Sequence, residues 1–266
     1  MFSNRGVLQG VFVAAALGLV AAPAASAAVT SDLAAPDKKE IAQQLVSSAE
    51  NSSLDWRAQY RYIEDIGDGR GYTAGIIGFT SGTGDMLQLV KLYTKTKPRN
   101  PLRKFLKALK RANGSDSHDG LGKRFVKAWR KAARDPVFQA AQDSIRDSVY
   151  FNPSVELAKS DGLNALGQFC YYDAAVVHGF NGMTRIRTRA LARAATPAGG
   201  GTEVAFLSAY LDERVVEMKK EKAHEDVTRI DNAQRKFLGE DNLDLHLPLS
   251  WSVYGDPYTI AGLSPA

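Results

Sequence analysis

The sequence predicts a mainly α protein (α+β in class), built as two lobes of helices with one small β insertion near the N-terminal lobe. Three observations carry that expectation. From Asp85 onward apolar residues recur at helical spacing through most of the chain. Between Gly67 and Gly84, seven glycines surround the β-branched pair Ile76-Ile77, a composition of turns and short strands. Ahead of both, Ile41, Leu45, Val46 and Ala49 mark one face of a first helix.

The elements follow in order. Arg5, the uncharged apolar run from Val7 to Ala22 and the small-residue string around Ala25-Ser26-Ala27 read as a secretory signal over residues 1–27. Its apolar core is shorter than the ~20 residues a bilayer span needs, so no membrane association is expected after cleavage. Residues 28–266 then form a single bilobed domain. Pro36-Asp37 opens the first helix, since proline is tolerated in the first turn and an acid suits the helix dipole. That helix runs to about Glu50, where Asn51-Ser52-Ser53 stops it. Trp56 to Ile63 reads as a short helix, and the glycine-rich stretch 67–84 as the only β region. Helices follow near 84–95, 100–112, 122–133, 136–160, 161–178, 184–195, 203–223 and 230–238. The breaks fall at Pro98 and Pro101, Asn113-Gly114-Ser115, Asp135-Pro136, Asn181-Gly182 and Pro197 to Gly201.

Charge is unevenly spread. Residues 37–90 carry 5 Lys and Arg against 8 Asp and Glu, residues 91–136 carry 15 against 3, and residues 137–266 carry 13 against 17. A basic block of this kind can read as a polyanion patch. Here Arg103, Lys104, Lys107, Lys110 and Arg111 alternate with Phe105, Leu106 and Leu109, so a solvated outer face of core helices explains it more simply. No nucleic-acid motif is present. The lone Cys170, in LGQFCYYDAAVV, excludes an intrachain disulfide and reads as a small buried residue. The four histidines are scattered, no metal-ligand spacing occurs, and no cofactor is expected.

Two carboxyls stand out. Glu50 lies at a helix C-terminus, where exposed carbonyls and apolar neighbours both disfavour ionisation, as a general acid requires. Taken alone it reads more readily as a glutamate pointing to solvent. Asp68 lies between Gly67 and Gly69 in IGDGRGYT, and Arg70 nearby favours its ionised form, as a base requires. An ordinary Asp-Gly turn would look the same. The constellation of both acids, the Thr73 hydroxyl and Asp85 is more telling. Two carboxyls in unlike environments are what glycoside hydrolysis uses.

The run QLVSSAENSSLDW (Gln44 to Trp56) resembles the N-terminal signature of the chitosanases of glycoside hydrolase family 46, of the actinobacterial secreted type. So do YIEDIGDGRGYTAGIIGFTSGTGDM (Tyr62 to Met86), LGQFCYYDA (Leu166 to Ala174) and LPLSWSVYGDPY near the C-terminus. The resemblance implies a lysozyme-like architecture with the β-sheet at the mouth of a substrate cleft. It implies endo-hydrolysis of β-1,4 linkages between glucosamine units of chitosan with inversion. Glu50 is then the acid, Asp68 the base, and Thr73 orients the attacking water. Asp173, Arg214 and Arg229 match a supporting charge network, though ordinary inter-helix ion pairs would fit as well. Ser52, Tyr62, Arg70, Thr83, Asp85, His224 and Asp256 match substrate contacts. An acid such as Asp85 suits a substrate whose amines are largely protonated in mild acid. His224, in EKAHED, reads equally as a surface helix residue.

Because the substrate is a polycation, the basic block is expected to lie away from the cleft. The protein is expected to act as an extracellular monomer. Two other functions remain open: a lysozyme-like peptidoglycan hydrolase using one glutamate, and a non-catalytic polyanion-binding protein led by the basic block.

Overall fold

The computed structural model of the chain describes residues 31–220 and 225–263. The expected signal segment and His224 lie outside them. The first helix, α1 (Pro36–Asn51), starts on Pro36 and ends where Ser52 adopts φ 50° and donates its backbone N–H to the Ser47 carbonyl. A 3-10 turn (Arg57–Arg61) leads into β1 (Ile63–Asp65), β2 (Tyr72–Ala74) and β3 (Phe79–Thr80). They form an antiparallel sheet in which Glu64 faces Thr73 and Thr73 faces Thr80. The helices α2 (Asp85–Thr96), α3 (Leu106–Ala112), α4 (Lys123–Ala132) and α5 (Pro136–Ile145) complete this part.

The stretch expected as one helix, 136–160, is continuous but changes pitch. α5 passes through a π-helical turn (Arg146–Phe151) into α6 (Asn152–Ser160). α7 (Ala165–Leu191) follows, then α8 (Glu203–Met218), a second π-helical turn (Arg229–Gln234) and α9 (Arg235–Gly239). β4 (Leu249–Val253) and β5 (Asp256–Ile260) close the described chain as an antiparallel hairpin.

Two expectations need correction. The glycine-rich stretch is not the only β region, because β4 and β5 form a second sheet. Leu249, Trp251 and Val253 are buried while Ser250 and Ser252 between them are not, a period-2 pattern only five residues long. The break expected at Asn181-Gly182 is absent; α7 runs through both and kinks instead at Gly179, whose φ of 70° a side chain would oppose.

Two hydrophobic cores confirm the two lobes. One is built from α1, α6–α9 and the β4–β5 hairpin, with Cys170 fully buried in it. The other joins the three-stranded sheet to α2–α5, around Trp129, Phe79 and Phe138. Tyr150 and Val176 pack against both cores and so stand at the junction. Glu50 therefore ends a helix of one lobe, while Asp68 and Thr73 ride on the sheet of the other.

Candidate active site

The turn carrying Asp68 is set by its own backbone. Asp65 Oδ1 accepts from the Gly67 N–H at 2.9 Å, and Gly67, Gly69 and Gly71 all take positive φ. This geometry presents Asp68 between the first two strands. Its side chain is only 6% exposed and is gripped by Arg70, with Nε and Nη2 at 2.8 and 2.7 Å from Oδ2 and the Arg70 N–H at 3.0 Å from Oδ1. The sequence expectation of a nearby cation is met as a direct ion pair.

Glu50 is reached from behind. Arg229 Nη1 donates to its Oε1 at 2.7 Å, while Nη2 and Nε donate to Asp173 Oδ1 and Oδ2 at 2.5 and 3.2 Å. Asp173 Oδ2 also accepts from Arg214 at 2.7 Å and from Gln234 at 2.8 Å. Gln234 Oε1 in turn accepts from Arg214 Nη1 at 2.9 Å. Burial would raise the Asp173 carboxyl, but Arg229 and Arg214 outweigh it and hold the group at about 2. Burial likewise opposes the Arg229 charge, and Asp173 and Glu50 more than restore it. The helix-end picture of Glu50 is thus incomplete: a buried cation holds one oxygen, and the acid does not stand in an apolar wall by itself.

Glu50, Asp68, Thr73, Tyr62, Arg70 and Arg229 line one pocket of about 220 Å³, walled by Ile77, Val176, Val177 and Tyr254. Thr73 Oγ1 is buried there without a protein hydrogen-bond partner. Gly78 lies against it: a methyl group there would stand 3.4 Å from Thr73 Cγ2 and 3.8 Å from Glu50 Oε2. So Oε2, the oxygen Arg229 does not hold, faces the Thr73 side of the pocket. A carboxyl held on one oxygen, a carboxylate on the opposite lobe and an unpartnered hydroxyl are suited to moving a proton and placing a water.

The other expected contacts are distributed around this pocket. Ser52 caps α1 just beyond Glu50. Asp85 opens α2, and its Oδ1 accepts from Thr80 N–H, Thr83 Oγ1 and Met86 N–H at 2.9, 3.0 and 2.7 Å. Burial pushes its carboxyl up despite these donors. Thr83 is therefore part of the Asp85 cap. Asp256 begins β5, across the hairpin turn from the pocket-lining Tyr254. Asp173 and Arg214 are fully buried behind the pocket and do not line it.

Gln234, Tyr254 and Gly78 escaped sequence reasoning. Arg229 and Gln234 are five apart, and α-helical spacing puts such residues on different faces. The π-helical turn at 229–234 brings them into register. Tyr254 sits at φ 54° in a tight Tyr-Gly turn, and the YGDP string was a turn signal that could have found it.

What fold and pocket define together is a class: a glycoside hydrolase of two helical lobes, each contributing a carboxyl to one pocket. The chain belongs to glycosyl hydrolase family 46, whose sequence model matches residues 44–249. It is 61% identical to a chitosanase of Streptomyces sp. (strain N174) over 85% of this chain and 82% of that one. It is 56% identical to a chitosanase of Nocardioides sp. (strain N106), over 93% and 91%. A solved chitosanase co-crystallised with substrate superposes with a TM-score of 0.85 at 55% identity, covering 86% of this chain and 98% of the other. The lysozyme-like architecture is shared with these solved structures. These relatives lend no support to a peptidoglycan hydrolase.

Proposed function

We infer that this chain is a chitosanase that hydrolyses β-1,4 bonds between glucosamine units inside the chitosan chain, with inversion at the anomeric carbon. One observation carries the assignment of roles: Glu50, Asp68 and Thr73 converge from opposite lobes on one pocket. Glu50 protonates the leaving glycosidic oxygen through Oε2. Asp68 takes a proton from the attacking water, whose oxygen bonds to the anomeric carbon as the glycosidic bond breaks. Thr73 Oγ1 supplies the hydrogen bond that orients that water. Inversion places the carboxyls ~6.5–9.5 Å apart or more to admit the water, and mounting them on separate lobes leaves that room. As Glu50 gives up its proton, the Arg229 guanidinium already at Oε1 meets the new negative charge without rearranging. Arg229 is itself fixed by Asp173, which Arg214 and Gln234 fix in turn.

Tyr62, Arg70 and Ser52 contact sugar along the cleft, and Asp85 and Asp256 meet substrate amines beyond the central pocket. The acids select free amines over acetamides, because a protonated glucosamine supplies the cation that Asp85 lacks. The site is complete within one chain, which supports action as a monomer. Residues 1–27 have the features of an export signal, which supports an extracellular location. Among the described residues no helix is long and apolar enough to cross a membrane.

The test is an NMR time course on fully deacetylated chitosan. The reading expects glucosamine oligomers with the α-anomer released first. Release of the β-anomer first sinks the inverting assignment, and no release sinks the activity.

A further inference from the structure

The cations of the two lobes are partnered differently. In the lobe of α7–α9, Arg187 is held by Asp161, Arg189 by Glu213 and Glu217, and Arg235 by Asp212 and Asp231. In the sheet lobe, Arg99, Lys107, Arg124, Lys127, Arg130 and Lys131 have no ion pair with any described residue. Placing so many like charges together without counter-charges costs self-repulsion, which a bound polyanion would relieve.

These side chains line two grooves. One, of about 920 Å³, lies between the segment 98–107 and α4, over a floor that includes Pro98, Pro101, Leu106 and Ala128. The other, of about 610 Å³, lies along α4, continues past its end to Arg134 and reaches Arg61 and Tyr72. Lys127 and Lys131 line both, so the grooves join into one track over α4, and neither has an Asp or Glu in its lining. Neither contains Glu50, Asp68 or Thr73.

We propose that this track is a second binding site, for a linear polyanion of closely spaced phosphate groups that carries no bases. A row of unpaired cations spanning two grooves requires repeated negative charge on its ligand, more than a single anion provides. The guanidiniums of Arg99, Arg103, Arg124 and Arg130 offer planar forks to phosphate oxygens, and the lysines offer point charges between them. No aromatic side chain lines the larger groove. The one in the smaller, Tyr72, is stacked on His118 at 4.2 Å between ring centroids. The track therefore lacks the free stacking platforms on which single-stranded nucleic acid is held. A polycationic sugar chain is repelled from it, so it is not an extension of the cleft. The proposal stands apart from the assignment of the hydrolytic reaction.

The test measures binding of end-labelled polyphosphate by fluorescence anisotropy between about 0.05 and 0.3 M salt. The expected result is a log K that falls linearly with log salt. In the triple variant Lys107→Gln, Lys127→Gln, Lys131→Gln the slope should drop by about 2, with binding roughly 100-fold weaker at about 0.1 M salt. The charge-matched variant Lys219→Gln, Lys220→Gln, Lys236→Gln on the other lobe should bind as the parent does. Absence of binding at about 0.1 M salt, or equal weakening in both variants, overturns the site. Tighter binding of a single-stranded oligonucleotide of equal charge overturns the base-free ligand in favour of nucleic acid. Equal affinity for polyglutamate overturns the choice of phosphate.

Discussion

Arg229 donates to Glu50 across 179 residues of sequence, at 2.7 Å, and with its remaining nitrogens grips the buried Asp173. The C-terminal end of α1 is thereby fastened to the second π-helical turn, near the far end of the chain. A single guanidinium serves both the carboxyl proposed as the proton donor and a buried structural one.

Glu50→Gln keeps the shape and the Arg229 contact and removes the carboxyl proposed to donate the proton. Turnover on chitosan should fall by about 10²–10⁴-fold or more, with affinity for glucosamine oligomers little changed. Single-turnover kinetics beside calorimetric binding checks this, and an active variant would sink the role of Glu50.

Asp173→Ala leaves Arg214 and Arg229 buried without their counter-charge, a change that costs about 3–5 kcal/mol. Urea unfolding should show it as a lower midpoint. Asp173 also sets an acid limit. Its folded value near 2 lies below the ordinary 3.8, so its stabilisation is full above pH 3.8 and is lost as pH falls towards 2. That loss amounts to about 2 kcal/mol.

Glu203 acts in the opposite direction. It begins α8 and accepts from the Asn164 N–H and side-chain amide, both at 2.9 Å, yet burial pushes it up to about 7. A carboxyl raised on folding favours the native state below its unfolded value of 4.5, and that gain disappears as pH rises through 7. Stability should therefore fall by about 3 kcal/mol between those limits. Thermal melts across that range should show the decline in the parent and a flatter profile in Glu203→Gln; parallel profiles would refute it.

Thr73→Val replaces the unpartnered hydroxyl with a methyl of similar shape. The value of kcat should fall about 10- to 100-fold through a misplaced water, with KM nearly unchanged. A rise in KM at constant kcat would mean that Thr73 binds sugar and does not position water.

Gly78→Ala tests the same corner of the site through its backbone. Gly78 has φ 70°, where a side chain costs about 1–2 kcal/mol, and relief of that strain would shift the backbone whose methyl stands in contact with Thr73 and Glu50 Oε2. Turnover should drop more than the Tm predicts, which a comparison of kcat with melting temperature reads directly.

Much of this was legible from residue order alone. The period of Ile41, Leu45, Val46 and Ala49 gave α1 and put Glu50 at its end, because the signal is local and repeats each turn. The glycines flanking Asp68 marked its turn for the same reason. The β4–β5 hairpin was missed because five residues of alternation are too few to stand out beside Pro248 and Pro257. The kink in α7 falls at Gly179 and not at Asn181-Gly182, and nothing in the local order of residues distinguishes the two glycines.

By itself, then, the sequence determined the helices, the short glycine-rich sheet, the two carboxyls and the family to which they belong. The tertiary structure decided that those carboxyls sit on different lobes and that Arg229 reaches Glu50. It also decided that Gln234 joins the network through a π-helical turn, and that the cations lining the two grooves over α4 have no acidic residue beside them in those grooves. Periodicity and turn chemistry act over a few residues and are written in neighbours. Which buried charge meets which is fixed only when distant segments pack, because an ion pair spanning 179 residues has no local signature.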